Sequence, residues 1–348
     1  MIAAGGTAGH VVPALAVADA LRAQGASVRF IGGDRAETTL VPEAGYELDQ
    51  LDVRGFSRTD PVAAGKAGLK AVGATRRASK LLKQIAPDVV LGGGGYVAGV
   101  VGIAAVRRKI PLVLTEADSH LGMSNKYLAK YAKRVCLAFE MAEYAADDTY
   151  VVTGRPVPPP ATDRAAARER FGVPEGEPLV LVFGGSLGAR SINEAAITGL
   201  ANRDFHVLHA CGTRDEEALR PLVPAANYAM EPYIARFNEA LLASDLVVAR
   251  SGGSVFEIAA HGKPSILVPY PHAAGDHQRG NAMALVDLGA AVLVDDFDLS
   301  PERLRSRVET LLAAPDRLAA MGEAALGFSR PRAAEAIAAE VTSAAASR

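Results

Sequence analysis

Short runs of β-branched and other apolar residues alternate along this chain with longer, alanine-rich stretches of helical character. Near-continuous apolar runs between helices are typical of parallel strands that are covered on both faces. The pattern therefore predicts a doubly wound α/β architecture. The predicted strands are Val28–Ile31, Asp88–Leu91, Pro111–Thr115, Arg134–Leu137, Tyr150–Thr153, Leu179–Phe183, His206–His209, Asp245–Ala249, Ser265–Val268 and Ala291–Val294.

A proline-rich segment, Pro156–Asp163, separates the first five of these strands from the last five. Its three consecutive prolines, Pro158 to Pro160, cannot continue a helix or a central strand, so the segment predicts a stiff, extended linker. The chain is therefore expected to hold an N-terminal domain over residues 1–157 and a C-terminal domain over residues 164–330. The Ala- and Glu-rich segment 331–348 predicts a last helix that can pack back on the first domain.

Composition supports two globular domains and excludes several classes of protein. The 348 residues are 49% apolar and 22% charged, and the net charge of -2 argues against a general nucleic-acid footprint. Cys136 and Cys211 are too far apart to suggest a disulfide framework or a zinc site. No apolar run reaches the ~18 residues of a membrane span. The start Met1–Ala4 lacks the basic region of a signal peptide and is short for a strand, so the natural start is expected a few residues upstream.

Glycine-rich turns carry the candidate chemistry of the N-terminal half. The segment Gly5–His10 lies between the first apolar run and a helix predicted over Pro13–Gln24. Its glycines let the backbone approach a ligand, and the free N–H groups of the following helix suit a phosphate. His10 can accept a proton near neutral pH, although a surface histidine or a helix cap is an equal alternative. A second segment, Gly92–Gly99, begins with four consecutive glycines, which are tolerated where another molecule needs the space.

The C-terminal half repeats this arrangement. The segment Gly184–Arg190 follows a predicted strand and mirrors the first loop. In Arg250–Glu257, a Gly-Gly-Ser turn suits a diphosphate, and Glu257 about one helical turn later suits ribose hydroxyls. The alternative for Glu257 is a glutamate that complements the helix dipole. The segment His272–Asn281 is dense in donors and acceptors, but its spacing matches no standard zinc motif.

Asp296-Phe297-Asp298 is a D-x-D pattern of the kind found in metal-dependent sugar transferases of another fold. It directly precedes Ser300 and Pro301, which are typical of a helix start with Ser as N-cap and Pro at the first position. Both aspartates are therefore predicted to be surface residues near a helix start. No metal site and no cofactor are expected.

Together and in this order, GGTAGH (5–10), GGYVAG (94–99), GGSLGAR (184–190), RSGG…E (250–257) and DHQ-x-x-N (276–281) resemble the MurG family over nearly the whole chain. The resemblance implies the GT-B architecture, in which two Rossmann-like domains face each other across a cleft. It implies transfer of N-acetylglucosamine from UDP to the undecaprenyl-linked muramyl-pentapeptide, lipid I, which gives lipid II for peptidoglycan. The donor would bind the C-terminal domain and the acceptor the N-terminal one, at the cytoplasmic face of the membrane.

The resemblance also implies roles for individual residues. His10 would be the general base and Glu116 a second catalytic residue, Glu257 would hold the ribose, and the backbone of Ile234 would meet the uracil. His277 and Gln278 would contact the donor sugar, while Ser186 and the turn Gly252–Ser254 would line the diphosphate. The full set of substrate-binding candidates is Thr7, Ala8, Gly9, Gly95, Tyr96, Asp118, Arg155, Ser186, Ile234, Gly252, Gly253, Ser254, Glu257, His277 and Gln278.

The sequence departs from the family pattern at a few of these positions. The usual His-Glu-Gln-Asn reads Thr115-Glu116-Ala117-Asp118, so only Glu116 is kept, and Asp118 replaces an amide. The usual Gly-Asn-Pro-Val-Arg reads Gly154-Arg155-Pro156-Val157-Pro158, where Arg155 can substitute for the lost arginine. The segment Arg250–Glu257 is one residue shorter than is common. These departures leave the fold and the UDP donor in place and leave the exact sugar and acceptor open.

Basic residues mixed with apolar ones run from Lys66 to Ile85, and Arg107-Arg108-Lys109 adds further positive charge. This composition is typical of a surface that sits on anionic lipid, with a solvated helix face as the alternative. Other functions also remain open at this point. They are a nicotinamide oxidoreductase, disfavoured because Gly5-Gly6-x-x-Gly9 is not its glycine spacing, a UDP-N-acetylglucosamine 2-epimerase, a transferase with another lipid acceptor, and a non-catalytic UDP-sugar-binding subunit.

Overall fold

The computed structural model describes residues 1–52, 61–185, 187–223 and 227–347, with the side chains of residues 61–70 outside the description. The chain divides into two compact units. The first comprises Met1–Val157 together with Arg330–Arg348, and the second comprises Pro158–Ser329. No helix among the described residues combines the length and the apolar character that crossing a membrane requires.

The first unit is a seven-stranded parallel sheet covered by helices. The order of strands is β3-β2-β1-β4-β5-β6-β7. Its elements are β1 (Ile2–Ala3), α1 (Ala8–Ala23), β2 (Arg29–Gly32), α2 (Glu37–Glu43), β3 (Glu47–Gln50), α3 (Pro61–Ile85), β4 (Val90–Gly92), α4 (Gly95–Arg107), β5 (Leu112–Glu116), α5 (Met123–Leu128), β6 (Arg134–Leu137) and β7 (Tyr150–Val152).

The second unit is a six-stranded parallel sheet with the order β10-β9-β8-β11-β12-β13. Its elements are α6 (Arg164–Arg170), β8 (Leu179–Phe183), α7 (Arg190–Leu200), β9 (His206–Ala210), α8 (Glu216–Leu219), β10 (Tyr228–Glu231), α9 (Phe237–Ala243), β11 (Leu246–Ala249), α10 (Val255–Ala260), β12 (Ser265–Leu267), α11 (His277–Val286), β13 (Ala291–Leu293), α12 (Pro301–Leu312) and α13 (Pro315–Phe328). The chain then returns to the first unit as α14 (Ala333–Ala346).

Helix α14 packs against α1 in the first unit. Ile337, Ala338 and Val341 are buried in the same apolar cluster as Val11 and Ala14 of α1. Small alanine side chains let two helices approach closely while still removing apolar surface from water. An ion pair between Arg134 Nε and Glu340 Oε2, 3.0 Å long, ties the far side of α14 to the start of β6. The last helix is therefore part of the N-terminal core.

The doubly wound prediction is confirmed, because each sheet is wholly parallel and the order of its strands reverses once. The reversal lies between β1 and β4 in the first sheet and between β8 and β11 in the second. In open parallel sheets, ligands bind outside the carboxyl ends of the strands at such a switch point. All four glycine-rich segments follow these four strands: Gly5–His10 follows β1, Gly92–Gly99 lies at the end of β4, Gly184–Arg190 follows β8, and Arg250–Glu257 follows β11.

Three strands have no counterpart among the ten predicted strands: β1, which is only two residues long, and the polar strands β3 and β10. Strands β3 and β10 lie at an edge of their sheet, where one side of the strand has no neighbour to cover it. The residues of β3, Glu47–Gln50, are exposed or only partly buried, and those of β10 alternate between buried and exposed. A polar edge strand therefore lacks the continuous apolar run by which the central strands were predicted.

Because His209 of β9 is buried, we expect the second unit to become less stable in mild acid. His209 is fully buried, its Nε2 lies 3.0 Å from Asn193 Oδ1, and its Nδ1 lies 3.0 Å from the Tyr228 hydroxyl. Burial lowers the pKa of His209 from 6.5 to about 4. Between those two values the unfolded chain takes up a proton that the folded chain does not. The free energy of unfolding is therefore expected to fall by about 3 kcal/mol as the pH drops from 6.5 to 4.

Urea unfolding of the wild type and of His209→Gln at pH 7, 5.5 and 4.5 measures this effect. The free energy of unfolding of the variant is expected to depend less on pH than that of the wild type, because glutamine does not titrate. Equal pH slopes for the two proteins would show that His209 is not the group responsible.

Candidate active site

His10 lies in the first turn of α1. The helix begins at Ala8, five residues before its predicted start at Pro13, so His10 is a helical residue and does not end a loop. Its Nδ1 lies 3.2 Å from Thr7 Oγ1, and its backbone N–H donates to the Thr7 carbonyl at 3.0 Å. Thr7 is the N-cap of α1, so the start of the helix fixes the orientation of the imidazole.

Arg155 supplies a hydrogen bond that Pro13 cannot make within α1. Pro13 lies inside the helix and has no N–H to donate to the carbonyl of Gly9, four residues earlier. Arg155 Nη2 donates to that carbonyl instead, at 2.6 Å. Because Gly9 precedes His10, this bond places the guanidinium group beside the imidazole and explains why Arg155 belongs to the site.

The loop after β4 is shaped around the same histidine. Gly94 has a φ of 89°, and a Cβ at this position would lie 2.8 Å from His10 Cδ2. Gly95 has a φ of 76°, and its Cβ would lie 2.9 Å from the carbonyl oxygen of Gly5. Glycine is therefore required for both backbone conformation and space. The two glycine loops of the first unit touch, and Tyr96 stands partly exposed in the first turn of α4 beside them.

The environment of His10 favours the neutral imidazole. Burial lowers the pKa of His10, and the positive charge of Arg155 lowers it further, whereas Asp118 and Glu37 act in the opposite direction. The net shift is downward from the ordinary value of 6.5. A neutral imidazole at pH 7 can accept a proton, which a general base requires.

Glu116 holds a loop together. Its Oε1 accepts hydrogen bonds from the backbone N–H groups of Ala117 (3.0 Å) and Asp118 (3.2 Å). Its Oε2 accepts from Gly122 N–H (2.8 Å) and from Asn125 Nδ2 (2.9 Å). Burial raises the pKa of Glu116, while these hydrogen bonds oppose that rise. Both oxygens of Glu116 are therefore engaged by the loop that carries Asp118, and its catalytic role stays a prediction.

A pocket in the first unit brings several of these residues together. His10, Thr115, Glu116 and Arg155 line it. Leu91, Cys136 and Ile337 belong to its apolar wall, so α14 contributes to it as well as β4 and β6. The site therefore combines polar groups at the carboxyl edge of the sheet with an apolar wall, an arrangement typical of ligand pockets.

In the second unit, hydrogen bonds with residues of α11 hold the turn that follows β11. Ser251 Oγ donates to the carbonyl of Gln278 at 2.7 Å, and Asn281 Nδ2 donates to the carbonyl of Ser251 at 3.1 Å. Gln278 Oε1 in turn accepts from the backbone N–H of Tyr270 at 3.0 Å. These bonds bring the turn Gly252–Ser254 next to Gln278, and both are candidates for contact with the donor.

The remaining donor-side candidates lie at the same carboxyl edge. Glu257 is in the first turn of α10, and His277 is the first residue of α11, where its Nδ1 lies 2.9 Å from the Ala274 carbonyl. Ile234 follows β10 with its side chain buried. Gly188 has a φ of 78°, and a Cβ there would lie 2.0 Å from the Cys211 carbonyl, so the loops after β8 and β9 are in close contact.

The prediction for Asp296 is wrong. Its side chain is only 17% exposed and forms an ion pair with Arg250 Nη1 at 2.5 Å. Ser191 Oγ donates to Asp296 Oδ1 at 2.6 Å, and Arg250 Nη2 donates to Ser191 Oγ at 2.9 Å. Asp298 is a surface residue, with its side chain 55% exposed. Asp296 is therefore a partner of the arginine that directly precedes the Ser251–Ser254 turn.

Comparisons with known proteins agree with this geometry. The glycosyltransferase family 28 N-terminal domain matches residues 1–137, and the family 28 C-terminal domain matches residues 179–337. Two relatives are named UDP-N-acetylglucosamine--N-acetylmuramyl-(pentapeptide) pyrophosphoryl-undecaprenol N-acetylglucosamine transferase. The one from Moorella thermoacetica is 39% identical over 97% of this chain and 96% of its own. The one from Prosthecochloris aestuarii is 40% identical over 96% of this chain and 95% of its own.

The chain belongs to the MurG family. The crystal structure of Acinetobacter baumannii MurG is 32% identical, covers 99% of this chain and 98% of its own, and superposes with a TM-score of 0.78. This match confirms the GT-B fold and the expectation of a glycosyltransferase, and it decides against an oxidoreductase. A UDP-N-acetylglucosamine 2-epimerase from Listeria monocytogenes superposes with a TM-score of 0.73 at 18% identity, which shows a shared fold alone.

The candidate site residues of this MurG-family protein fall into two groups, one in each unit. The first unit brings together Thr7, Ala8, Gly9, His10, Gly95, Tyr96, Glu116, Asp118 and Arg155 at the carboxyl edge of its sheet. The second does the same for Ile234, Gly252, Gly253, Ser254, Glu257, His277 and Gln278. Ser186 lies outside the described residues.

Sequence analysis missed residues that act behind the site. Glu37 and Asn125 are buried and hydrogen-bonded to loops of the first unit, and Ser191 takes part in the Arg250 network of the second. Glu37 and Asn125 stand outside the glycine-rich motifs, and the partners of Ser191 come from distant segments. The sequence therefore carried no signal for these residues, whereas the structure reveals them as buried polar groups that have found hydrogen-bond partners.

Proposed function

We propose that the chain transfers N-acetylglucosamine from UDP-N-acetylglucosamine to undecaprenyl-linked muramyl-pentapeptide and so makes lipid II for peptidoglycan. Relatives that match almost the full chain carry that activity in their names. The observation that carries the proposal is the position of His10 beside two glycine-rich loops at the switch point of the first sheet, where burial lowers its pKa. A base in the first turn of a helix at such a switch point suits the activation of a sugar hydroxyl.

The proposed reaction is a single inverting displacement. His10 removes the proton from the acceptor hydroxyl as its oxygen forms a bond to C1 of the donor sugar. The bond from C1 to the diphosphate oxygen breaks in the same step, and UDP leaves with the electron pair. The N–H groups of the first unit's loops and of α1 would meet the phosphates of the acceptor.

The second unit is proposed to bind the donor. The turn Gly252–Ser254 at the start of α10 would stabilise the leaving diphosphate, and Glu257 would hold the ribose. Ile234 would meet the uracil through its backbone, while His277 and Gln278 would contact the sugar. Gln278 supports this role because its side chain is already oriented by Tyr270.

UDP release from UDP-N-acetylglucosamine, with and without a short-chain analogue of lipid I, tests the function. Release that depends on the acceptor, together with a disaccharide product, is expected. Because Asp118 replaces an amide of the family pattern beside His10, related acceptors and UDP-N-acetylgalactosamine belong in the same assay. Tight UDP binding without acceptor-dependent release would move the function to another acceptor or to an epimerase.

The proposed site of action is the cytoplasmic face of the membrane, with the protein bound peripherally. Helices α3, α4 and α5 pack in series on the first unit. These helices and the turns that follow α4 and α5 expose cations and large apolar groups, a set here called the basic-aromatic band. Its described members are Val72, Arg76, Arg77, Lys80, Lys83, Arg107, Arg108, Lys109, Met123, Lys126, Tyr127, Lys130 and Tyr131. Lys130 lies over the rings of both Tyr127 and Tyr131, so charge and aromatic surface occur together, as an anionic lipid interface favours.

Replacing Arg107, Arg108 and Lys109 with glutamine is expected to weaken binding to vesicles that contain anionic lipid by about 100-fold, since each of the three cations contributes ~1 kcal/mol near such a surface. Co-sedimentation at two salt concentrations measures this. The matched control replaces Arg303, Arg305 and Arg307 of α12, which removes the same charge from the second unit. Equal losses for both triple variants, or binding that ignores lipid charge, would contradict the membrane proposal.

A further inference from the structure

Glu37 is a buried carboxylate directly behind the His10 loop. It is the first residue of α2, and it is only 1% exposed. Its Oε2 accepts the Gly6 N–H at 2.9 Å, and its Oε1 accepts the Gly33 N–H at 2.6 Å. No lysine or arginine forms an ion pair with it among the residues that the structure describes. Burying a carboxylate without a cation is costly, so this placement calls for an explanation beyond stability.

The surrounding backbone is shaped to admit this side chain. A Cβ at Gly5 would lie 2.6 Å from Glu37 Oε1, and a Cβ at Gly32 would lie 2.6 Å from Glu37 Cγ. Neither glycine has a positive φ, so space rather than backbone conformation requires glycine at these two positions. The ends of β1 and β2 are therefore built around the Glu37 side chain.

Glu37 and Ala36 form hydrogen bonds with both the N–H and the carbonyl of Gly6. The Gly6 N–H donates to the Glu37 carboxylate, and the Gly6 carbonyl accepts from the Ala36 N–H at 3.5 Å. Gly6 has a φ of 109°, a conformation that an unrestrained loop would readily leave. The next residue, Thr7, caps α1 and contacts the His10 ring. The orientation of the imidazole thus depends on a chain of contacts that starts at Glu37.

We propose that Glu37 is a positioning residue for His10, which fixes the glycine loop that carries this base and supplies a negative charge behind it. This inference rests on the proposed function, in which His10 removes the acceptor's proton. Glu37 touches neither substrate, and it acts through Gly6 and Thr7.

The charge of Glu37 also bears on the proton affinity of His10. Four charged groups act on or line the surroundings of the imidazole. Arg155 lowers the pKa of His10, Asp118 and Glu37 raise it, and Glu116 lines the same pocket with its carboxylate bound to loop N–H groups. Removing the negative charge of Glu37 should therefore lower the pKa of His10. A residue with a purely structural role would not move that pKa in a defined direction.

Glu37→Gln is the decisive variant. Its amide keeps one acceptor but turns an NH₂ group towards one of the two backbone N–H donors. We expect kcat to fall by about 10- to 100-fold, because small displacements of a catalytic group have effects of this size. The acid limb of kcat/KM should move to lower pH, and the KM for UDP-N-acetylglucosamine should stay unchanged because the donor binds the second unit.

Glu43→Gln is the matched control, since Glu43 ends the same helix and is exposed. Glu37→Asp keeps the charge on a shorter side chain, so it should lower kcat while leaving the acid limb near its wild-type position. It also serves as the test if Glu37→Gln fails to fold by circular dichroism. His10→Ala is measured in parallel to separate two kinds of failure.

The outcomes are distinct. If His10→Ala is inactive while both Glu37 variants match Glu43→Gln in kcat and acid limb, the positioning role is wrong and the proposed base stands. If His10→Ala keeps the wild-type rate, the base assignment fails, and the inference about Glu37 fails with it. A lower kcat in both Glu37 variants, with an acid limb shifted to lower pH in Glu37→Gln and unshifted in Glu37→Asp, would establish the proposal.

Discussion

Replacing His10 with alanine is expected to lower kcat by about 10²–10⁴-fold, which is the usual contribution of a general base. The imidazole is neutral at pH 7, held by Thr7, and packed against a loop whose Gly94 has no room for a side chain. The variant removes the proton acceptor and leaves the second unit untouched. UDP should therefore protect it against thermal unfolding as it does the wild type.

Wild-type kcat/KM should fall on the acid side with an apparent pKa below 6.5, because the folded protein lowers the pKa of His10. His10→Ala should lose this acid limb. Gln24→Ala, at the exposed far end of α1, is the control for effects of the helix as such. Acceptor-dependent UDP release by His10→Ala at the wild-type rate would rule out His10 as the base.

Replacing Asp296 with asparagine is expected to destabilise the second unit by about 3–5 kcal/mol. Arg250 and Asp296 are 10% and 17% exposed, so the substitution leaves a nearly buried guanidinium without its counter-charge. Loss of one partner from such a pair usually has a cost of this size. Arg250 also donates to the carbonyls of Val268 (3.1 Å) and Pro269 (3.0 Å), so the damage should extend to the turn that follows Arg250.

Asp298→Asn provides the control within the same D-x-D pattern. Its carboxylate is exposed and lies 3.5 Å from Arg303, and exposed pairs contribute about 0–1 kcal/mol. Urea unfolding should separate the two variants, and calorimetry should show weaker UDP binding for Asp296→Asn alone. Equal stability and equal UDP affinity would mean that the Arg250 network does not support the donor loop.

The sequence by itself determined the architecture and the positions of the glycine-rich turns. The central strands are runs of buried apolar residues, so β6 and β8 could be predicted at their observed limits, Arg134–Leu137 and Leu179–Phe183. The glycine-rich turns come directly after strands, and in a parallel sheet all such turns meet at one edge. Apolar periodicity and turn chemistry are local properties, and they are visible in a few consecutive residues.

Only the tertiary structure decided what the charged and polar residues do around those turns. Glu37 meets Gly6 from 31 positions away, Ser191 meets Asp296 from 105, and Arg155 meets Gly9 from 146. The local sequence is the same whether such a side chain points to water or to a distant backbone group. Whether a carboxylate is a surface charge, as at Asp298, a partly buried acceptor, as at Asp296, or a buried one, as at Glu116, depends on partners that folding alone brings within hydrogen-bonding distance.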